Sequence, residues 1–355
     1  LDENRSANES LTGTVLAVQA NFYKVQLHPS SEKTPTDILL CTRRSRLKKI
    51  GQRVMVGDRV AIEEPDWQGK RGAISQVLSR QTELDRPPIA NANRILLVFA
   101  LADPPLDPHQ LTRFLLKAES TGLEVSLALN KSDLVSPEER QQWGDRLQAW
   151  GYDPLFVSVY AGLGIDRLQQ HLQQAITVVS GPSGVGKSSL IARLIPAVDL
   201  RVATVSGKLG RGRHTTRHVE LFELPGGGLL ADTPGFNQPE LDCTVDGLIE
   251  LFPEGRSRLA AGCCQFSDCL HRNEPNCAIA GEWERYDHYL MILTEAIAHQ
   301  AAIQQLGKEE SSLKLRTKRS GVQQYEPKLE SKKYRRQSRR KQHQSLDDLC
   351  EELDR

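Results

Sequence analysis

Between Thr12 and Arg80, apolar and polar residues alternate in short runs: Thr14–Val18, Phe22–Leu27, Ile38–Cys41 and Val60–Ile62. Gly51, Gly57-Asp58 and Gly69 stand between them. Successive side chains of a strand point to opposite faces, so runs of this period predict half-buried strands. Turn residues at this spacing fold them into a small antiparallel barrel. A length of about 70 residues suits an OB-fold, although an SH3-like barrel would produce much the same pattern. Residues 1–10 are polar and are expected to be disordered.

After Pro87-Pro88 the period changes. Apolar runs at Ile95–Leu101, Val125–Leu129, Leu155–Val159 and Ile176–Ser180 alternate with helical stretches that begin near Asp107, Pro137 and Ile165. Such alternation predicts a parallel sheet covered by helices, with ligands held at the carboxyl ends of the strands. Helical spacing returns over Tyr286–Leu306. The expected organisation is a disordered start (1–10), a barrel (11–80), an α/β domain (81–245), a small, mostly helical domain (246–307) and a flexible basic tail (308–355). The sequence carries no internal repeat.

Charge sharpens this picture. The formal net charge is only +1, yet residues 308–341 hold 13 Lys or Arg against 4 acids, which leaves the rest of the chain near −8. The run Lys332–Lys341, with Tyr334 inside it, suits a nucleic-acid backbone bound non-specifically and in a salt-dependent way. A purely solubilising tail would look similar. No apolar run approaches the roughly 18–20 residues of a membrane span, and no signal peptide opens the chain. A cytoplasmic protein without a membrane partner is therefore expected. Leu1 in place of Met points to a missing or processed start. Seven cysteines, several crowded into one stretch, suit metal ligation in a reducing compartment better than a disulfide framework.

The chemistry concentrates after the strand Ile176–Ser180, in Gly181-Pro182-Ser183-Gly184-Val185-Gly186-Lys187-Ser188-Ser189. A glycine-rich turn between a strand and a helix lets backbone N–H groups converge on phosphate oxygens, and the helix N-terminus adds partial positive charge. Lys187 is expected at the β- and γ-phosphates and Ser188 on Mg²⁺. Such a loop does not choose the base. Asn130-Lys131-Ser132-Asp133 does: a carboxylate only accepts hydrogen bonds, so Asp133 suits the N1–H and N2–H₂ donors of guanine and not the unprotonated N1 of adenine. Asn130 can bridge base and loop, and the Lys131 stem can cover the ring. Ser158, with Val159, ends the next strand and can offer a backbone N–H to the guanine O6.

Two segments downstream complete the site. Asp232-Thr-Pro-Gly235 closes an apolar run, placing Asp232 near the Mg²⁺ water shell and the Gly235 N–H where it senses γ-phosphate. Gly210–Arg217 reads as a mobile loop in which Thr215 or Thr216 completes the Mg²⁺ shell; spacing does not choose between them, and Ser188 with Thr216 is the working ligand pair. Many GTPases place a water-orienting Gln directly after Asp-x-x-Gly. Here that position is Phe236, which leaves His214 as the candidate and a merely solvated loop histidine as its alternative. The order is unusual: guanine motif, then phosphate loop, then both switch segments, a circular permutation that a new terminus in a surface loop permits.

Cys264, Cys269, His271 and Cys277 offer three thiolates and one imidazole within fourteen residues. Cys₃His is a closed tetrahedral set and points to one structural zinc. Cys263 is adjacent, and either it or Cys264 can be the first ligand on spacing alone.

Taken together, the chain resembles the circularly permuted RsgA family of small-ribosomal-subunit biogenesis GTPases. The resemblance runs from about Thr12 to Lys341 and rests on the barrel, Asn-Lys-x-Asp ahead of the Gly181–Ser189 loop, Gly-Arg-His-Thr-Thr, Asp-Thr-Pro-Gly-Phe and Cys-x4-Cys-x-His-x5-Cys. It implies an OB-fold and GTP hydrolysis stimulated by the small ribosomal subunit during its late maturation. The implied partners are that subunit, its rRNA and GTP or GDP, and the chain is expected to act as a monomer. The resemblance assigns zinc to Cys264, Cys269, His271 and Cys277, and favours His214 as the residue replacing the glutamine. Two positions depart from the expected pattern: Arg217 stands where the family often has a third Thr, and Ser158-Val159 where many GTPases carry a guanine-contacting Ser-Ala. Two other readings compete, a GTP-sensing RNA adaptor in which hydrolysis is incidental and an ATP-dependent kinase.

Overall fold

The computed structural model describes residues 11–28, 38–85, 87–195, 219–232, 244–309, 313–317 and 323–327. Strands β1 (Leu11–Gln19), β2 (Phe22–Leu27), β3 (Ile38–Arg43), β4 (Arg59–Asp66) and β5 (Arg71–Val77) close a barrel in the order β1-β2-β3-β5-β4. β3 pairs with β5 in parallel, whereas the other pairings are antiparallel. That order belongs to the OB-fold, and it decides between the two barrels the alternation allowed. Tyr23, Val25 and Leu27 face inward from β2 and join Val15, Leu39, Val60 and Ile74 in the barrel core. Helix α1 (Ser45–Lys49) follows β3.

A buried ion pair fixes the way out of the barrel. Asp58 is fully buried and accepts from the Met55 N–H at 2.7 Å and from Arg80 Nε at 2.7 Å. Arg80 also donates to the Arg53 carbonyl and to Glu83. Removing one partner of such a pair costs about 3–5 kcal/mol, because the other charge stays buried alone. The short hairpin β6 (Glu83–Asp85) and β7 (Pro88–Ala90) then leads into the α/β domain.

That domain is a six-stranded sheet. Its strands are β8 (Arg94–Ala100), β9 (Glu124–Asn130), β10 (Pro154–Phe156), β11 (Ile176–Ser180), β12 (Leu221–Glu223) and β13 (Leu229–Asp232), in the order β10-β9-β8-β11-β13-β12. Only β12 runs antiparallel to its neighbour. Helices α2 (Pro108–Glu119), α3 (Pro137–Ala149), α4 (Ile165–His171) and α5 (Lys187–Leu194) connect the strands. The Asp107 carboxylate caps α2, and Ser136 with Glu139 forms a capping box on α3, so each helix starts where its side chains satisfy the first free amides. β8, buried on both faces, contributes Ile95, Leu97 and Phe99 to one core and Leu96 and Val98 to the other. Alternating side chains of a central strand must do this when helices cover both faces.

β10 ends at Phe156, three residues before the end of the apolar run Leu155–Val159, because Ser158 turns the chain: its N–H donates to the Leu163 carbonyl at 3.0 Å. Several elements lacked a pattern in sequence, namely β5, β12, the hairpin β6–β7, the helix Pro253–Ala261 and a second hairpin. The chain divides into two compact units, 1–293 and 294–355. In the second unit, within the tail read as flexible, β14 (Leu313–Thr317) pairs antiparallel with β15 (Gln323–Pro327). The helix Tyr286–Glu309 begins in the first unit. No described helix is long and apolar enough to cross a membrane.

Candidate nucleotide site and metal centre

Every nucleotide motif among the described residues lies at the carboxyl edge of the sheet. β9 ends in Asn130, β11 runs into Gly181, and β13 ends in Asp232, whose backbone pairs with Val179 of β11. The loop Gly181–Gly186 is shaped by close approach. Gly181 has φ +142°, and a Cβ there would lie 2.0 Å from the Val98 carbonyl oxygen. Gly186 has φ +92° and opens α5; its Cβ would lie 2.4 Å from Asn130 Nδ2. Neither position accepts a side chain, so the spacing of the two glycines follows from sterics as well as from phosphate binding. Lys187 lies in the first turn of α5, and its ammonium donates to the carbonyls of Gly181 (2.7 Å) and Pro182. Pro182, Ser183, Gly184, Val185, Ser188 and Ser189 occupy the same turn and helix start.

Asn130 is the hinge-pin of the site. It is buried, and its Nδ2 donates to the Val185 carbonyl at 2.8 Å while its Oδ1 accepts from the Val159 N–H at 3.4 Å. One amide thus ties the guanine motif to the phosphate loop and to the loop after β10. Lys131 adopts φ +58° and donates to the Asp103 carbonyl, which brings the β8–α2 loop to the same edge. Asp133 is exposed in the short 3₁₀ turn Ser132–Leu134. Ser132 is buried beneath it and donates from its N–H to Val157 O at 3.1 Å.

The expected Ser158 amide contact to a base meets a different geometry. That N–H is held by Leu163, and the Val159 N–H by Asn130, while Ser158 Oγ accepts from the Ala161 N–H at 3.0 Å. These bonds shape the loop after β10. His214, Thr215, Thr216, Arg217, Gly235 and Phe236 lie outside the described residues, as does the run Lys332–Lys341. Asp103 escaped the sequence reading, although Asp103-Pro104-Pro105 was a turn signal there to be used.

Among the described residues, Cys264, Cys269, His271 and Cys277 bring their ligand atoms within 4.8 Å of one another, and Cys263 stands apart, exposed. The Cys264 and Cys277 sulfurs are 3.8 Å apart, and His271 Nδ1 lies 3.4 Å from each. A tetrahedron with metal–sulfur bonds of about 2.3 Å has edges of about 3.8 Å. The donor set therefore fits a metal ion. Burial works against the Cys277 thiolate, but the N–H groups of Ala280 (3.3 Å) and Ile279 (3.4 Å), together with hydrogen bonds from Cys269 and Cys264, draw the thiol below its usual range. Burial also lowers the His271 imidazole, which favours the neutral ligating form. The loop is braced by Tyr289, whose hydroxyl donates to Leu270 O at 2.8 Å, and by Tyr286, which donates to the His271 carbonyl at 2.9 Å.

The cysteine loop leads back onto the α/β domain. Arg285 is fully buried between Trp150 (4.7 Å from guanidinium carbon to ring centroid) and Phe252 (5.0 Å), and it forks onto the Glu254 carboxylate. Such a desolvated cation between rings is worth about 2 kcal/mol. Next to it, Trp150 Nε1 donates to Glu284 at 2.8 Å, and His288 Nδ1 bonds Thr112 Oγ1 at 2.8 Å while stacking on His109 at 3.8 Å.

With this geometry in hand, comparisons with known proteins agree. The family profile described as RsgA GTPase matches residues 77–242. The small ribosomal subunit biogenesis GTPase RsgA of Trichormus variabilis is 65% identical, the alignment covering 96% of this chain and 97% of that protein. Among solved structures, YloQ, described as a circularly permuted GTPase, superposes with a TM-score of 0.69 at 29% identity, over 84% of this chain and 99% of the other. YjeQ from Thermotoga maritima gives 0.67 at 29% identity, over 81% and 98%.

Proposed function

The chain belongs to the RsgA family of circularly permuted GTPases, and on that premise we propose that it hydrolyses GTP to GDP and phosphate, stimulated by the small ribosomal subunit, in that subunit's late maturation. One observation carries the reading. Asn130 joins the guanine motif to the phosphate loop by a 2.8 Å bond to Val185, so two motifs in reversed order still converge on one site.

In this reading Asp133 accepts from the guanine N1–H and N2–H₂, and the Lys131 stem lies along the ring. Amides of Gly184–Ser189 surround the phosphates. Lys187 would exchange its loop carbonyls for the β- and γ-phosphate oxygens, because charged acceptors bind an ammonium more strongly than neutral ones. Ser188 and Thr216, with Asp232 through water, would hold Mg²⁺, whose chemistry is to neutralise charge developing on the β/γ oxygens. Gly235 offers its N–H to γ-phosphate, and His214 orients the attacking water in place of the glutamine that Phe236 displaces. The water oxygen bonds to the γ-phosphorus as the bond to the β–γ bridging oxygen breaks, and GDP leaves with that electron pair.

Cys264, Cys269, His271 and Cys277 would hold one zinc ion, whose contribution is to fold a segment too short and polar to fold itself. rRNA is the proposed ligand of the barrel and of the basic tail, and cytoplasmic, monomeric action belongs to the same proposal. The test is multiple-turnover GTPase activity with and without small ribosomal subunits over a salt series. A rate unchanged by subunits would leave the chain a GTP-sensing RNA adaptor.

A further inference from the structure

The barrel and the switch segments are joined by a seam that no motif announces. β12 is the edge strand of the six-stranded sheet, and exposed edges are generally covered. Here β1 of the barrel does so, through a bridge between Ala17 and Glu220. A bulge in β1 makes this possible. Val15 pairs with Val25 and Ala17 with Lys24, so Leu16 is the extra residue. Val15 stays in the barrel core while Leu16 joins the α/β core that holds Val219 and Leu221. Re-aiming a side chain is what a bulge does.

Two side chains of β2 complete the seam. Lys24 Nζ donates to Glu220 Oε1 at 3.1 Å, and Gln26 Nε2 donates to Glu223 Oε2 at 2.6 Å. Both donors come from the barrel; one acceptor, Glu220, immediately precedes β12 and the other, Glu223, ends it. The hairpin β12–β13 in turn lies between the two switch segments in the chain: it begins at Leu221, seven residues after His214, and ends at Asp232. On the same outer face of β2, Phe22 is 48% exposed, and Leu40, which pairs with Lys24 across β3, is 46% exposed. A ligand covering Phe22 and Leu40 therefore abuts the side chain that holds Glu220.

We propose that Lys24 and Gln26 are positioning residues for the stimulated reaction alone, holding the β12–β13 hairpin in register with the barrel so that occupation of the outer barrel face raises the hydrolysis rate. This rests on the GTPase reading above and adds the contacts that transmit stimulation. The Lys24 and Glu220 side chains are 43% and 36% exposed, so their pair contributes little to stability. What it contributes is register between the barrel and the β12–β13 hairpin.

The experiment uses the full chain as Lys24→Glu, Glu220→Lys and the double exchange, with saturating small ribosomal subunits. Stimulated kcat is expected to fall about five-fold in each single variant, the scale of a coupling contact. GTP affinity, unstimulated kcat and Tm stay at the unaltered values, and the double exchange restores stimulated kcat. Single variants stimulated as well as the unaltered protein, or a double exchange no better than the singles, would overturn the inference. If charge reversal lowers Tm, Lys24→Met removes the bond without repulsion and faces the same outcomes. An unaltered protein that subunits fail to stimulate defeats the functional reading as well, so the two failures are told apart.

Discussion

Asn130 ends β9 and Val185 lies 55 residues later in the loop after β11, a strand that is not a neighbour of β9, yet the Asn130 amide donates to the Val185 carbonyl at 2.8 Å. The bond is buried, and the same side chain accepts from Val159. Base recognition and phosphate recognition are thereby held in one rigid unit.

Truncating that amide leaves a buried carbonyl without its donor, at a cost of about 1–3 kcal/mol. Asn130→Ala is expected to weaken GDP and GTP binding about ten-fold or more, with a modest loss of Tm. Titration with a fluorescent guanine nucleotide measures the first and thermal unfolding the second; wild-type affinity would show that the bridge has no role in binding.

Asp133 is exposed, so its exchange is expected to spare the fold. Asp133→Asn turns an acceptor into a donor facing the guanine N2–H₂. GTP affinity should drop at least about 100-fold, while xanthosine triphosphate, which carries a carbonyl at that position, should bind better than GTP. Competition between the two nucleotides reads the preference, and an unchanged preference would favour the ATP-kinase reading.

His214→Ala should bind GTP normally and lose subunit-stimulated turnover, by about 100-fold if the histidine orients the water. The decisive comparison is kcat at saturating subunits beside the dissociation constant for GTP. Undiminished turnover assigns the water to another residue.

Metal analysis of the purified chain should return about one zinc per molecule, as a Cys₃His set requires. Cys269→Ala should reduce that content, and a strong chelator should lower Tm, because the cysteine loop leads into Glu284, Arg285 and His288, which clasp the α/β domain. Full zinc content in the variant would mean a different ligand set.

Acid should loosen the same clasp. Burial first, then the charges of His109, Arg285 and Arg146, lower the His288 pKa to about 4, with Glu284 opposing. The unfolded histidine titrates near 6.5, so the unfolded state binds more protons between the two values. Stability is whole above about pH 6.5 and declines toward pH 4. Thermal unfolding between pH 7 and 5 should show a falling Tm, and the fall should be shallower in His288→Gln, which keeps a hydrogen-bonding partner for Thr112.

What the sequence by itself determined was local chemistry. Gly181–Ser189, Asn130–Asp133 and the Cys264–Cys277 cluster are legible because each packs its donors, or its steric demands, into a few consecutive residues. The parallel sheet was legible for the same reason, since strands buried on both faces leave continuous apolar runs. Only the tertiary structure decided the relations between segments. The OB order depends on β3 meeting β5, and the Asn130–Val185 bond depends on a strand order of β9-β8-β11. The partner of the Ser158 N–H, the Leu163 carbonyl, is likewise set by the fold and not by the motif. The grip of Lys24 and Gln26 on Glu220 and Glu223 spans nearly 200 positions and leaves no pattern, because a surface lysine and a surface glutamate look the same in sequence whether they meet or not. Periodicity records which face of an element is buried. It does not record what lies against that face, and that is where this site is assembled.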